Sequence, residues 1–283
     1  MKFHNQPILI FRWNNKIGVI DNDDPQQVKE ELYDLADVYF VTNKLKNAPS
    51  YQRKKIVPLF PHYPINSLSV YLKVFGINWF KNVNFKAVLQ QINSLRKRPV
   101  YRKFNFQKNT GNFVFFVSRL WKKEAETNEI RAAFIRTCKN NVKIDFKGGF
   151  KERTDGETYG YEHELCKQSF SPITFSKHSA KSLLGFNNPA VCGAVSWRLA
   201  EYWNHGIFVL SFPFKIDLPK YPEHEKEQFY IQHTADFQKI INKALDDRSW
   251  CNSIAEGGNS YFSKYCTPTA QINYILQEMQ KVL

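Results

Sequence analysis

The chain has 283 residues, 43% hydrophobic and 23% charged, the balance of a folded protein, which excludes a largely disordered one. Its 40 Lys and Arg against 26 Asp and Glu give a formal charge of +14, a field that draws anions: nucleic acid, lipid headgroups and nucleotide sugars all fit that sign. The cysteines, Cys138, Cys166, Cys192, Cys251 and Cys266, lack C-x-x-C or paired-histidine spacing, which argues against a disulfide frame or zinc centre and for the reduced thiols of a soluble, cytoplasmic protein.

Ile8 to Trp13 (ILIFRW) predicts a buried strand and Ile17 to Ile20 a second. After the acidic turn Asp21, Asp23, Asp24, Pro25, the proline is placed to open a helix over Gln26 to Leu35. Ala36 to Thr42 and Lys55 to Phe60 predict strands closing a small α/β lobe, followed by helices over Ser67 to Phe75 and Asn82 to Leu95. The densest basic run, Arg96 to Lys103 (RKRPVYRK), reads as a solvated connection, or as a nucleic-acid or membrane-surface patch. A polar, turn-rich segment at Asn109 predicts a boundary, with residues 1–108 in one lobe and 109–283 in the other.

Phe113 to Val117 (FVFFV) is apolar throughout, as a strand buried on both faces of a parallel sheet must be. Ser118, Arg119 and Leu120 follow, then Lys122 and Lys123 and a helix from Thr127 to Lys139. Val142 to Phe146 predicts a strand whose end, Gly148-Gly149, either lets a ligand approach the backbone or is a plain turn. A polar loop, Lys151 to Gln168, precedes a helix at Ser171 to Ser182 and a strand at Leu183 to Asn187. Beyond Pro219, a strand at Phe229 to His233 leads into helices at Asp236 to Leu245, Ser249 to Ile254, Tyr261 to Cys266 and Thr269 to Val282.

The stretch from Asn187 to Pro219 carries the most chemistry. Ser196 is a good N-cap, a helix runs from Trp197, and Gly206 stands where it needs a left-handed residue to stop. Arg198 and Glu201 share one face of it. A cation in a first helical turn opposes the macrodipole by about 0.3–1 kcal/mol unless an anion lies in front of it. Alternatively the two form an intrahelical pair worth about 0.2–0.5 kcal/mol.

The order N-P, S-W-R-x-x-E-Y, glycine, apolar strand, proline resembles the donor-nucleotide segment of GT-B glycosyltransferases, near the exostosin-like and bacterial polysaccharide branches. The strand followed by Arg119, Leu120 and Lys123 is similar to the opening of their donor lobe, and ADVYFVTN with KIVPLFPHYP to the end of an acceptor lobe. The resemblance implies an α/β fold of two Rossmann-like lobes, a reduced N-terminal acceptor-side lobe and a C-terminal nucleotide-sugar lobe whose last helix packs back on the first. It places Arg198, Arg119 and Lys123 on the donor diphosphate and Glu201 on the ribose, with Ser196 and Gly149 also at the donor. Candidates for the base that activates the acceptor are Asp24, Asp21 and His62. Asp21-Asn22-Asp23 has the spacing of a metal-binding triplet but stands far in sequence from the donor segment, so no metal or cofactor is expected. The implied activity moves a sugar from a nucleotide sugar, UDP-linked and with UDP-xylose one candidate, to a glycan or glycolipid hydroxyl in surface or capsid glycan synthesis, with peripheral membrane contact through the basic surface. Two other readings stay open: a basic nucleic-acid-binding protein, with nucleic acid the disfavoured partner, and a catalytically inactive glycan-binding module on the same fold.

Overall fold

The computed structural model describes residues 7–24, 27–76, 85–188 and 190–282. Strands β1 (Ile8–Trp13) and β2 (Lys16–Asp21) form a hairpin turned by Asn14 and Asn15, at φ of 45° and 61°, left-handed positions that asparagine tolerates. After α1 (Glu30–Leu35) come β3 (Val38–Val41), β4 (Lys44–Leu45) and β5 (Ile56–Pro58). Strands β2, β3 and β5 run parallel in the order β1-β2-β3-β5, and all of β3 is buried because both its edges and both its faces are covered. Contrary to the burial expected of it, β1 is an edge strand that exposes Leu9 and Ile10. Helix α1 starts at Glu30, four residues later than the sequence predicts, because Lys29 is extended and its ammonium reaches back between Asp21 and Asp23, 3.2 Å from each carboxylate. Pro25, Gln26 and the predicted helix start at Asn82 lie outside the described residues. Helices α2 (Leu68–Phe75) and α3 (Phe85–Arg96) pack on each other through a small core of Leu68, Tyr71, Val88, Ile92 and Leu95.

The second lobe runs β6 (Phe113–Arg119), α4 (Ala125–Asn140), β7 (Asp145–Lys151), β8 (Leu165–Cys166), α5 (Pro172–Lys181), β9 (Leu184–Asn187), α6 (Arg198–Asn204), β10 (Phe208–Ser211), β11 (Ile216–Asp217), β12 (Phe229–Tyr230), α7 (Asp236–Asp246), α8 (Arg248–Tyr261) and α9 (Pro268–Gln280). Two parallel ladders, β8-β7-β6 and β9-β10-β12, meet where the Leu183 N–H donates to the Phe113 carbonyl (2.7 Å) and the Phe115 N–H to Ser182 Oγ (3.0 Å). Counting only the strands of this sheet, with β6 as the first and β12 as the sixth, the spatial order is 3-2-1-4-5-6, the doubly wound arrangement that leaves a crevice at the carboxyl ends of strands one and four. Phe134 stacks on Phe186 at 4.7 Å, and Phe237 meets both edge-on at 5.3 and 5.1 Å, filling the space between sheet and helices.

Several predicted boundaries change here, among them the strand expected at Phe229 to His233, which ends at Tyr230. Strand β7 begins at Asp145 because Asn141 holds residues 141–144 in a turn, its Oδ1 accepting from the Lys143 N–H (3.0 Å) and its carbonyl from Ile144 (3.0 Å). Part of the predicted Lys151 to Gln168 loop is β8, paired to the end of β7. The two helices predicted on either side of Gly257-Gly258 are one helix, α8, running on into a π-helical turn at Phe262–Cys266. A Cβ on Gly257 would stand 1.8 Å from the Lys226 carbonyl oxygen, so these glycines admit a neighbouring chain and do not break the helix.

Several contacts tie the lobes, two of them through whole elements. Strand β11 pairs antiparallel with β4. Helix α9 lies on the first lobe, where Met279 is fully buried with Val38, Phe40 and Leu59, and the Tyr274 hydroxyl donates to the Pro58 carbonyl (3.1 Å).

Candidate functional site

Where the strand order reverses, a cleft of about 620 Å³ opens between the lobes. Its second-lobe wall is built by Ser118 and Arg119 at the end of β6, Arg131 of α4, Phe175 of α5, and Ser196, Arg198 and Glu201 at α6. Asp24 and Pro64 of the first lobe and Arg98 of the connecting segment close the other side.

Two of these arginines are drawn inward by the carboxyl end of β6. Arg131 Nη1 donates to the Arg119 carbonyl (2.9 Å), and Arg198 Nη1 donates to the Val117 carbonyl. The Arg198 guanidinium also lies over the Phe175 ring, 4.5 Å from its centre. Burial pushes the pKa of Arg198 down and nearby Arg119 adds to the effect, with Tyr202 and Glu201 opposing it; burial and then Arg198 push Arg131 down. A guanidinium nevertheless keeps its proton in a protein, so the inner two remain charged, partly desolvated and mutually repelling. The Arg198 Nε is closed off from solvent and has no well-aligned hydrogen-bond partner, although the Tyr202 hydroxyl lies against the guanidinium. Such a cluster is relieved by an anion in the cleft.

Glu201 is 2% exposed and shows the same half-satisfied state. Its Oε1 lies 3.6 Å from His205 Nε2, a nitrogen that Ser176 Oγ also approaches at 3.3 Å, while Oε2 is buried without a partner. One carboxylate oxygen thus lies near His205, and the other is buried without a partner. Helix α6 that carries both residues stops as its sequence requires: Gly206 takes φ 65°, and the Ile207 N–H returns to the Tyr202 carbonyl (3.1 Å). Its start differs from the capping expected of Ser196. Trp197 is already helical, so Ser196 Oγ receives only a long contact from the Arg198 N–H (3.4 Å).

The structure therefore brings together Arg119, Ser196, Arg198, Glu201 and Asp24, and leaves the other sequence candidates elsewhere. Asp24 is exposed, and partial desolvation and then Asp23 raise its carboxyl pKa. Asp21 is buried inside the first lobe, accepting from the Tyr39 hydroxyl (2.5 Å) and paired with Lys29. His62 lines a separate apolar pocket with Tyr101, Phe262 and Ile272, where burial pushes its imidazole down. Lys123 is not among the residues lining the cleft. Gly149 is inside β7, not at its end, and a Cβ there would meet the Glu164 carbonyl oxygen at 2.3 Å; its open side faces β8, not a ligand.

Sequence reasoning missed Arg131 and passed over Arg98 as part of a basic run. Arg131 had a usable signal. It lies on the buried stripe of α4 with Asn128, Ala132, Ile135 and Cys138, and a cation on an apolar stripe is a group the fold has gone out of its way to hold.

No protein-family model and no curated protein matches the sequence. Among solved structures, the chain resembles a glycosyltransferase from Rickettsia africae, with a TM-score of 0.54 and 9% identity over 93% of this chain and 70% of that one. It also resembles HepE from Anabaena, solved with UDP-glucose, with a TM-score of 0.51 and 12% identity over 87% of this chain and 64% of HepE. The fold is GT-B-like. Its two Rossmann-like lobes and the reduced first lobe follow that plan, and the chain spans just under two thirds of HepE. At these identities the likeness is one of architecture.

Proposed function

We propose that this GT-B chain is a glycosyltransferase that moves a sugar from a nucleotide sugar to a glycan or glycolipid hydroxyl. The carrying observation is the convergence of Arg119, Arg131 and Arg198 on the end of β6, where all three line the cleft. A diphosphate in the cleft takes charge-assisted hydrogen bonds from these groups. As the bond between sugar and phosphate breaks, charge grows on the leaving diphosphate, and fixed guanidinium groups stabilise it without having to reorganise. In this reading the arginines supply the neutralisation that a divalent ion would otherwise supply, and the one acidic triplet considered for metal is bridged by Lys29.

Glu201, which lines the cleft, accepts from the ribose hydroxyls, and Asp24, across the cleft with its raised pKa, takes the proton of the acceptor hydroxyl as that oxygen attacks the anomeric carbon. A uridine nucleotide is favoured because HepE is a structure with UDP-glucose. The exostosin-like kinship, xylose as the sugar and a surface or capsid glycan as the product rest on the resemblance of residues 187–219, and the division of the lobes at residue 109 rests on the turn-rich sequence there. A thermal-shift screen of UDP, GDP, ADP and their sugars in chelator tests the reading. At a hundredfold excess over its Kd, a ligand of the folded state adds about 2.7 kcal/mol, roughly 5–10 °C in melting temperature for a chain of this size. Stabilisation by no nucleoside diphosphate, or only by polynucleotide, removes the proposal; stabilisation only with added divalent metal removes the metal-free part of it.

A further inference from the structure

From Val38 to Lys123, 86 consecutive positions contain 17 Lys and Arg and no Asp or Glu. The rest of the chain has 23 basic and 26 acidic residues, so the entire positive excess belongs to this stretch. Helices α2 and α3 stand in the middle of it. Packing on each other through one face, they leave Val70, Leu72, Val74, Phe75, Phe85 and Leu89 exposed, six of the eighteen large hydrophobic side chains exposed among the described residues. Val70 is 57% exposed, Val74 66% and Phe85 64%, values far from those of ordinary core margins. Along α3 the exposed positions Phe85, Leu89, Asn93 and Arg96 follow one face, so apolar side chains at its amino end give way to the exposed Arg96 and Lys97 at its carboxyl end. No residue of either helix lines the cleft.

We infer that the α2–α3 pair is a docking face for an anionic lipid bilayer. The apolar end enters the boundary between headgroups and acyl chains, and the cations beyond it meet the headgroup charge. The alternatives fit the same surface less well. A second copy would oppose two faces of the same sign, and an isologous contact offers no acidic residue in this stretch to offset them. Nucleic acid would pair with the cations but leave the valines and leucines in water, where stacking platforms present aromatic rings. The inference does not depend on what the cleft binds.

Sedimentation of the full chain with vesicles of phosphatidylcholine alone, and of phosphatidylcholine with an equal part of phosphatidylglycerol, tests it. Binding is expected on the mixed vesicles, falling when salt is raised. Replacing Arg96 and Lys97 with glutamine should weaken it by about fivefold for each cation. The double substitution Val70→Asp, Val74→Asp should abolish most of it with the melting temperature unchanged, because both side chains already lie in water. Equal binding to both vesicle types, no binding to either, or binding untouched by the valine changes overturns the inference. So does polynucleotide binding that the same glutamine variants weaken in the absence of vesicle binding, or a concentration-dependent dimer that the valine changes dissolve.

Discussion

Arg198→Met separates the stability of the fold from the affinity of the site. The substitution keeps an unbranched apolar side chain and removes the guanidinium, with its hydrogen bond to Val117 and its place over Phe175. Two terms then oppose each other in the unliganded protein. The Val117 carbonyl loses its donor, at a cost of about 1–3 kcal/mol, while a desolvated cation beside Arg119 and Arg131 disappears, which relieves a penalty on the order of a few kcal/mol. Their sum should leave stability within about 2 kcal/mol of the parent, a change of roughly 4–8 °C at most in melting temperature. The effect on a diphosphate has no such compensation. Losing a charge-assisted contact costs about 1.5–3 kcal/mol, so UDP should bind about 10- to 150-fold more weakly. Uridine, which carries no phosphate, should bind as before. Calorimetric titration with UDP and uridine, alongside thermal melting, reads both quantities. A variant that melts far lower yet binds UDP normally would show Arg198 to be scaffold and refute the reasoning.

Glu201→Gln should weaken uridine and UDP by the same factor in such titrations, because both carry the ribose hydroxyls; a loss confined to UDP would contradict the assigned contact. Gly148→Ala should destabilise by more than about 3 kcal/mol, since the residue sits at φ 138° and a Cβ would stand 1.9 Å from the Phe116 carbonyl oxygen, and a melting curve matching the parent would rule this out. Met279→Ala should cost about 2–5 kcal/mol and raise hydrogen exchange in β3 and β5, where α9 rests; unaltered exchange there would deny the helix that role. His62 gives a pH signature. Burial holds its folded pKa below 6.5, so below pH 6.5 the unfolded chain binds a proton that the folded chain refuses, and stability falls as pH drops through that window. His62→Phe should flatten that part of the melting-temperature profile between pH 7.5 and 5, and an identical slope in the variant would show that other groups cause it.

Much of the second lobe was legible because its signals are long and redundant. Phe113–Val117 is apolar at every position and became a central parallel strand, and Gly206 ended its helix with the left-handed turn its position demanded. What was illegible has identifiable physical causes. Strands β4, β8 and β11 have two residues each, too few for any periodicity, and exist through pairing with chain far away in sequence. The pairs Gly148-Gly149 and Gly257-Gly258 read as breaks, but they occur inside β7 and α8, because the same missing Cβ that loosens a chain also lets another backbone come close. At the cleft, Arg198 and Glu201 were marked by three-residue spacing on one helix, whereas Arg131 and Arg98 reach the same place from distant segments, a convergence that only the strand-order reversal creates.

Hydrogen exchange of the full chain with and without saturating UDP, in chelator, tests the central claim most directly. Binding at the arginine cluster should slow exchange at residues 117–120 and 196–201, the two segments that face the cleft from the ends of β6 and the start of α6, with smaller effects around Arg98. Protection centred on Asp21 to Asp24, or no protection anywhere at millimolar UDP, would contradict a donor site at the carboxyl edge of the second-lobe sheet.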